Sequence, residues 1–348
     1  TAGNPPEYNK SVRDFDIVTL DRLKRIEIEP DYETWKEYAY KKGVHASVMT
    51  YLAARKKDFY KIENAADGKH FVTARGWDDL SEMIKLYEEN GLAVDEQLIC
   101  QYLQDARISK DFAIYYDLFN KYRSDYQVEK ILDGTVSESI VLRAERACMD
   151  ERLSLLGLIF DSVTAQLRTV CERENILDLV TGQLKALKEK LKDVSGAAAL
   201  LSEMIEAERE KLERGKQSSS ISPQAQRETR FMLEYLEEFR AAVMQSGTAQ
   251  KDEFSVVRES FAQKVAELKG LAADGSRVLE NVFLFCEKAF ADGDEILIFV
   301  TELTANYYSA RFIGRYGCDK YYMHNKQLQF DQRQQEIIKR MDEIQWTV

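Results

Sequence analysis

Residues 155–191 read LLGLIFDSVTAQLRTVCERENILDLVTGQLKALKEKL. Leu155, Ile159, Val163 and Leu167 recur at steps of four, and Val180, Leu184, Leu187 and Leu191 at steps of three and four, so each set lines one face of an α-helix. Nothing nearby breaks that pattern. The only prolines are Pro5, Pro6, Pro30 and Pro223, which leaves residues 31–222 and 224–348 free of rigid interruptions. Both intervals are rich in Leu, Glu, Lys, Ala and Arg, residues that favour helix. The expected fold class is therefore mainly α.

The same period extends outward on both sides. Trp77, Leu80, Ile84 and Tyr87 form a helical face that ends at Asn90-Gly91, where glycine permits the left-handed closing turn. Ile140, Ala144 and Cys148 form another stripe, and Phe254, Val257, Phe261, Val265 and Leu268 a further seam. All of these are expected in the core. Residues 217–223, Gln-Ser-Ser-Ser-Ile-Ser-Pro, form a flexible link between two charged helices expected to fold back as an antiparallel hairpin. The stretch Glu295 to Gly317 is dense in aromatic and β-branched residues, and burial as a central helix is expected over a partner groove. Near the start, Arg25-Ile26-Glu27-Ile28-Glu29 alternates with the period of a strand, and Asp31 is placed to cap a helix beginning at Tyr32.

Composition narrows the classes. Hydrophobic residues at 45% and charged residues at 31% describe a folded protein. A net charge of −11 opposes nucleic-acid and anionic-membrane partners, and Lys41-Lys42 and Arg55-Lys56-Lys57 are too small to form a basic patch. Five scattered cysteines without a C-x-x-C pair, and His45, His70 and His324 far from them, exclude a zinc spacing and suit reduced thiols in the cytoplasm. Apolar runs such as Leu153 to Phe160 and Ile296 to Val300 are too short to span a bilayer, so no membrane insertion is expected. The start has no signal-peptide pattern, and its abrupt opening without Met suggests a fragment. The many carboxylates are spread over helical positions without a focused cluster, which argues against a metalloenzyme.

The opening segment carries the chemistry. Thr1-Ala2-Gly3-Asn4-Pro5-Pro6-Glu7-Tyr8, followed by Val18-Thr19-Leu20-Asp21-Arg22-Leu23, resembles the second half of a MoxR-like AAA+ ATPase module. Phe71 to Trp77, with Arg75 near a helix start, resembles that family's sensor 2 segment. The resemblance covers residues 1–104. It departs from the family at Gly3, where Gln or Ala is usual, and at Leu23, where Phe is usual; neither removes a functional group.

The resemblance implies a division into three parts. Residues 1–30 would end an AAA+ α/β core, 31–104 would form a helical lid, and 105–348 a long, coiled-coil-like helical C-terminal extension. It implies that Asn4, as sensor 1, orients the attacking water. Arg22 would be the arginine finger reaching a neighbour's nucleotide, with Arg13 as the competing choice, and Arg75 would contact nucleotide from the lid. ATP and Mg would be cofactors of the parent protein, and none is expected bound to this fragment. The chain has no P-loop, since Gly68-Lys69 and Gly215-Lys216 lack the leading glycine spacing and following hydroxyl, and no Walker B box. It is expected to be inactive alone. The parent would be a ring-forming ATP hydrolase with chaperone-like action on proteins, partnered by von Willebrand factor A domain proteins. A non-enzymatic helical scaffold or adaptor is the alternative.

Overall fold

The computed structural model describes residues 21, 22, 24, 28–65, 68–191, 196–218, 220–247, 253–291 and 293–326. These residues are mainly helical, and their apolar side chains gather into three consecutive cores. Of the strand expected at 25–29, residues 25–27 lie outside the described set.

The first core begins with α1 (Tyr32–Lys42), whose start is fixed by Asp31: its carboxylate accepts from the Thr34 N–H at 2.7 Å. Helix α2 (Ala46–Ala54) follows after Gly43, which takes the left-handed conformation that a β-carbon disfavours (φ 76°). Next comes an antiparallel hairpin, β1 (Lys61–Ala65) and β2 (Gly68–Val72), pairing Ile62 with Phe71. Helix α3 (Ala74–Glu89) is capped by Thr73 and closes at Asn90, with Gly91 at φ 66°, as the sequence pattern requires. Helices α4 (Glu96–Tyr102) and α5 (Ala106–Asp125) complete the unit, capped by Asp95 and Asp105. Its centre is aromatic. Tyr51, Trp77 and Phe112 meet at ring separations of 5.2–5.6 Å, two of the three contacts edge-on, and the Trp77 indole donates to the Asp58 carbonyl.

Helix α5 serves two cores. Ile108, Phe112 and Tyr116 face the first, and Phe119 the second. The second core also takes α6 (Val128–Leu132), α7 (Glu138–Arg146), the first part of α8 (Met149–Lys190), the last part of α11 (Glu253–Ala289), α12 (Glu295–Ala305) and α13 (Tyr307–Tyr316). The third is built from the rest of α8, α9 (Ala197–Gln217), α10 (Pro223–Ser246) and the start of α11. Helices α9 and α10, joined by the Ser-rich link, pack against each other.

The stripes at 155–167 and 180–191 lie on one helix of 42 residues, continuous because nothing between them breaks the backbone pattern. Three local readings need correction. Cys148 is not on the stripe with Ile140 and Ala144: α7 ends at Arg146, the backbone turns extended at Ala147, and Cys148 is the exposed residue preceding α8. The aromatic stretch from Glu295 is two helices, because the Asn306 side chain accepts from the N–H groups of Tyr308 and Ser309 and restarts the chain there. Finally, α8 is long and apolar enough by length and composition to cross a membrane, which the short apolar runs did not suggest. In this fold its Leu155, Ile159, Val163 and Leu167 are fully buried against protein.

Candidate functional site

Of the four residues singled out from the sequence, the described set includes Arg22 and Arg75. Asn4 and Arg13 lie outside the described residues, and Arg22 is exposed. Arg75 is the second residue of α3, with 89% of its side chain exposed and a 3.5 Å ion pair to Asp79 one turn on. It sits at a positive helix end, where free N–H groups favour anions. Its neighbour Gly76 lies against the Tyr102 carbonyl, where a β-carbon would meet the oxygen at 2.7 Å.

One arrangement has the residue types of a nucleophile relay. His45 Nδ1 lies 2.7 Å from Ser47 Oγ, His45 Nε2 lies 3.2 Å from Glu88 Oε2, and the Tyr116 hydroxyl donates to Glu88 Oε1 at 2.7 Å. Its geometry serves structure. Ser47 is fully buried, and His45 Nδ1 also accepts the Ser47 backbone N–H, so the ring caps α2 and leaves no attacking face. Desolvation raises the Glu88 carboxyl, but the hydrogen bonds from His45 and Tyr116 and the nearby Arg123 outweigh it and hold the pKa below its ordinary value.

A second charged cluster is also structural. Glu174, buried on α8, pairs with Arg315 at 2.9 Å and Arg311 at 3.2 Å and accepts from the Tyr316 hydroxyl at 2.5 Å, pinning α13 to α8. Burial pushes the Cys171 thiol up to about 11, so it is a packing residue and not a nucleophile. Among the described residues no group of three His, Cys, Asp or Glu side chains is placed to hold a metal ion.

A cleft of about 950 Å³ runs along α8 from Asp150 to Glu172, walled mainly by α1, α2, α5 and α12. Where α2 crosses α8, Thr50 seats directly on Gly157, and the Tyr115 hydroxyl donates to Thr50 at 2.7 Å. At the α12 side, Glu302 accepts from Lys36 at 2.6 Å and from the Tyr40 hydroxyl, tying the first core to the second. Ile114 and Leu118 leave 59% and 39% of their surface open, so one wall of the cleft is apolar. No sequence pattern marks this site: its residues come from seven helices, α1, α2, α5, α8, α10, α12 and α13, and share no spacing.

Comparison with known protein families, curated proteins and solved structures gives no match.

Proposed function

We propose that this chain is the C-terminal part of a MoxR-like AAA+ ATPase, in which ATP hydrolysis in a ring of subunits drives remodelling or maturation of partner proteins. The observation that carries this reading, beside the opening motif, is the placement of Arg75. An arginine left almost wholly exposed at a capped helix N-terminus, with only a long ion pair to Asp79, is free to reach a nucleotide phosphate held on an adjoining module. In this reading the first helical unit is the lid, and the rest of the chain is an extension that presents surface to partners, von Willebrand factor A domain proteins among them. ATP and Mg belong to the parent protein, in the cytoplasm.

The test uses the parent protein. Arg75→Ala is expected to weaken nucleotide binding, while Asn4→Ala lowers turnover with affinity nearly intact, because one group holds phosphate and the other orients water. Arg22→Ala is expected to bind ATP normally and hydrolyse it ~10³-fold more slowly, with partial recovery in rings mixed with a P-loop mutant that keeps Arg22. Failure of those mixed rings would move the finger to Arg13 or reduce Arg22 to a structural ion pair. Unchanged nucleotide affinity in Arg75→Ala would remove the main support for the lid assignment.

A second reading, a non-enzymatic helical scaffold or adaptor, is favoured by one observation. The two longest helices, α8 and α11, each pass through two cores, an arrangement suited to holding surfaces at fixed separation. Nucleotide-independent partner binding by the parent protein would favour it.

A further inference from the structure

The cleft along α8 has a polar end and an apolar end. Towards α13, Arg168 pairs with Glu172 at 2.7 Å and lies over the Tyr308 ring, and Glu302 is taken by Lys36 and Tyr40. Near the start of α8 the lining is Ala54, Ile114, Leu118, Tyr122 and Leu153, with the Arg55–Asp111 pair at its edge. Ile114 and Leu118, one turn apart on α5, leave much of their surface open. An apolar trough between two helices has the shape that takes the apolar face of a third.

The course of the chain beyond α13 points to the helix that fills it. Residues 319–326 are helical. The Tyr321 and Thr304 hydroxyls lie 2.9 Å apart, so this segment meets α12 near its end. One turn on, His324 stacks on Phe283, whose ring meets Phe299 of α12 at 5.5 Å. The chain thus runs antiparallel to α12, towards the start of that helix. There Glu295 pairs with Arg152 of α8 at 2.8 Å, and the next residue, Leu153, lines the apolar end of the cleft.

Residues 327–348 lie outside the described set, and their sequence has the pattern that such a trough requires. Phe330, Ile337, Met341, Ile344 and Val348 fall at steps of seven, four, three and four, one stripe at the helical period. Arg333 and Arg340 flank that stripe one heptad apart, opposite in sign to Asp150 and Asp161, the solvated carboxylates that edge the cleft on α8. At 1.5 Å per residue these residues would span about 33 Å, against about 6 Å left along α12 from Phe299 to Glu295 and about 17 Å of α8 from Asp150 to Asp161.

We propose that the C-terminal segment, residues 327–348, docks as an amphipathic helix in the apolar end of the α8 cleft, its Phe330, Ile337 and Met341 face laid on Ile114, Leu118 and Leu153. The segment is then an internal competitor, which any partner helix entering the cleft must displace. This assignment does not rest on the ATPase reading.

Hydroxyl-radical footprinting of the full chain, read by mass spectrometry, measures how open each side chain is. Leu118 and Leu179 are 39% and 41% exposed among the described residues, but Leu179 lies on the third-core part of α8, away from the cleft. The expected result is that Leu118 is oxidised at least fivefold more slowly than Leu179, at low and high protein concentration alike. Ile337→Asp combined with Met341→Asp should bring the two rates together and leave that of Leu179 unchanged. Neither position belongs to the three described cores, and circular dichroism checks that the variant folds. Equal rates in the unaltered chain, a comparison that needs no variant, would overturn the proposal. So would protection of Leu118 that survives both substitutions, or that appears only at high concentration, which would assign the cover to a second copy.

Discussion

Thr50 occupies the space where any residue other than glycine at position 157 would carry its β-carbon: an atom built there would run into Thr50 Cγ2 and stand 3.2 Å from Cβ. This contact sets how closely the first unit approaches α8.

Glycine inside an isolated helix is worse than alanine by about 0.5–1 kcal/mol, so Gly157→Ala would stabilise α8 were it alone. Here overpacking decides the sign. Gly157→Ala is expected to destabilise the chain by about 1–3 kcal/mol in urea unfolding. Thr50→Ala removes the obstructing methyl group, and the double variant should recover much of that loss. Additive losses in the cycle would show that the two residues do not compete for the same space.

Glu174 and its arginines are unequal partners. Glu174 is buried, whereas Arg311 and Arg315 keep 25% and 57% of their side chains exposed. Removing both arginines strands a buried carboxylate and should cost about 3–5 kcal/mol. Glu174→Gln leaves the cations free to turn to water and should cost only about 1 kcal/mol. Unfolding curves that reverse this order would mean that the arginines, not the carboxylate, bear the desolvation.

Asn306 is almost wholly buried, and its side chain holds the first N–H groups of α13. Asn306→Ala should cost about 1–2 kcal/mol, and Asn306→Ser, which can also cap, clearly less. Equal costs would make the side-chain volume, not the cap, the important feature.

How far the sequence reveals this molecule differs from one segment to the next. The stripe Trp77, Leu80, Ile84 with its Asn90-Gly91 end, and the Asp31 cap of α1, follow from short-range rules, and there pattern and structure coincide. The hairpin at Lys61–Val72 leaves only a weak mark in the sequence: Asp67-Gly68 is a turn-forming pair, but the strands are short and mostly polar. The continuity of α8 between its two stripes is hard to read because the polar stretch Glu172 to Asn175 interrupts the apolar rhythm, and Glu174 there is buried against Arg311, Arg315 and Tyr316, more than a hundred residues later. The cleft is invisible in the sequence for the same reason: Asp161 and Thr50 line one cavity only after helices far apart in the chain have packed.

The length of α8 has a mechanical meaning. At 1.5 Å per residue, the part from Gly157 to Lys190 is about 50 Å long. It is packed into the second core as far as Cys171 and into the third from Ile176 onward. One unbroken backbone thus ties the Thr50 contact to both of the later cores, and a change in the spacing there is borne by packing along the whole rod.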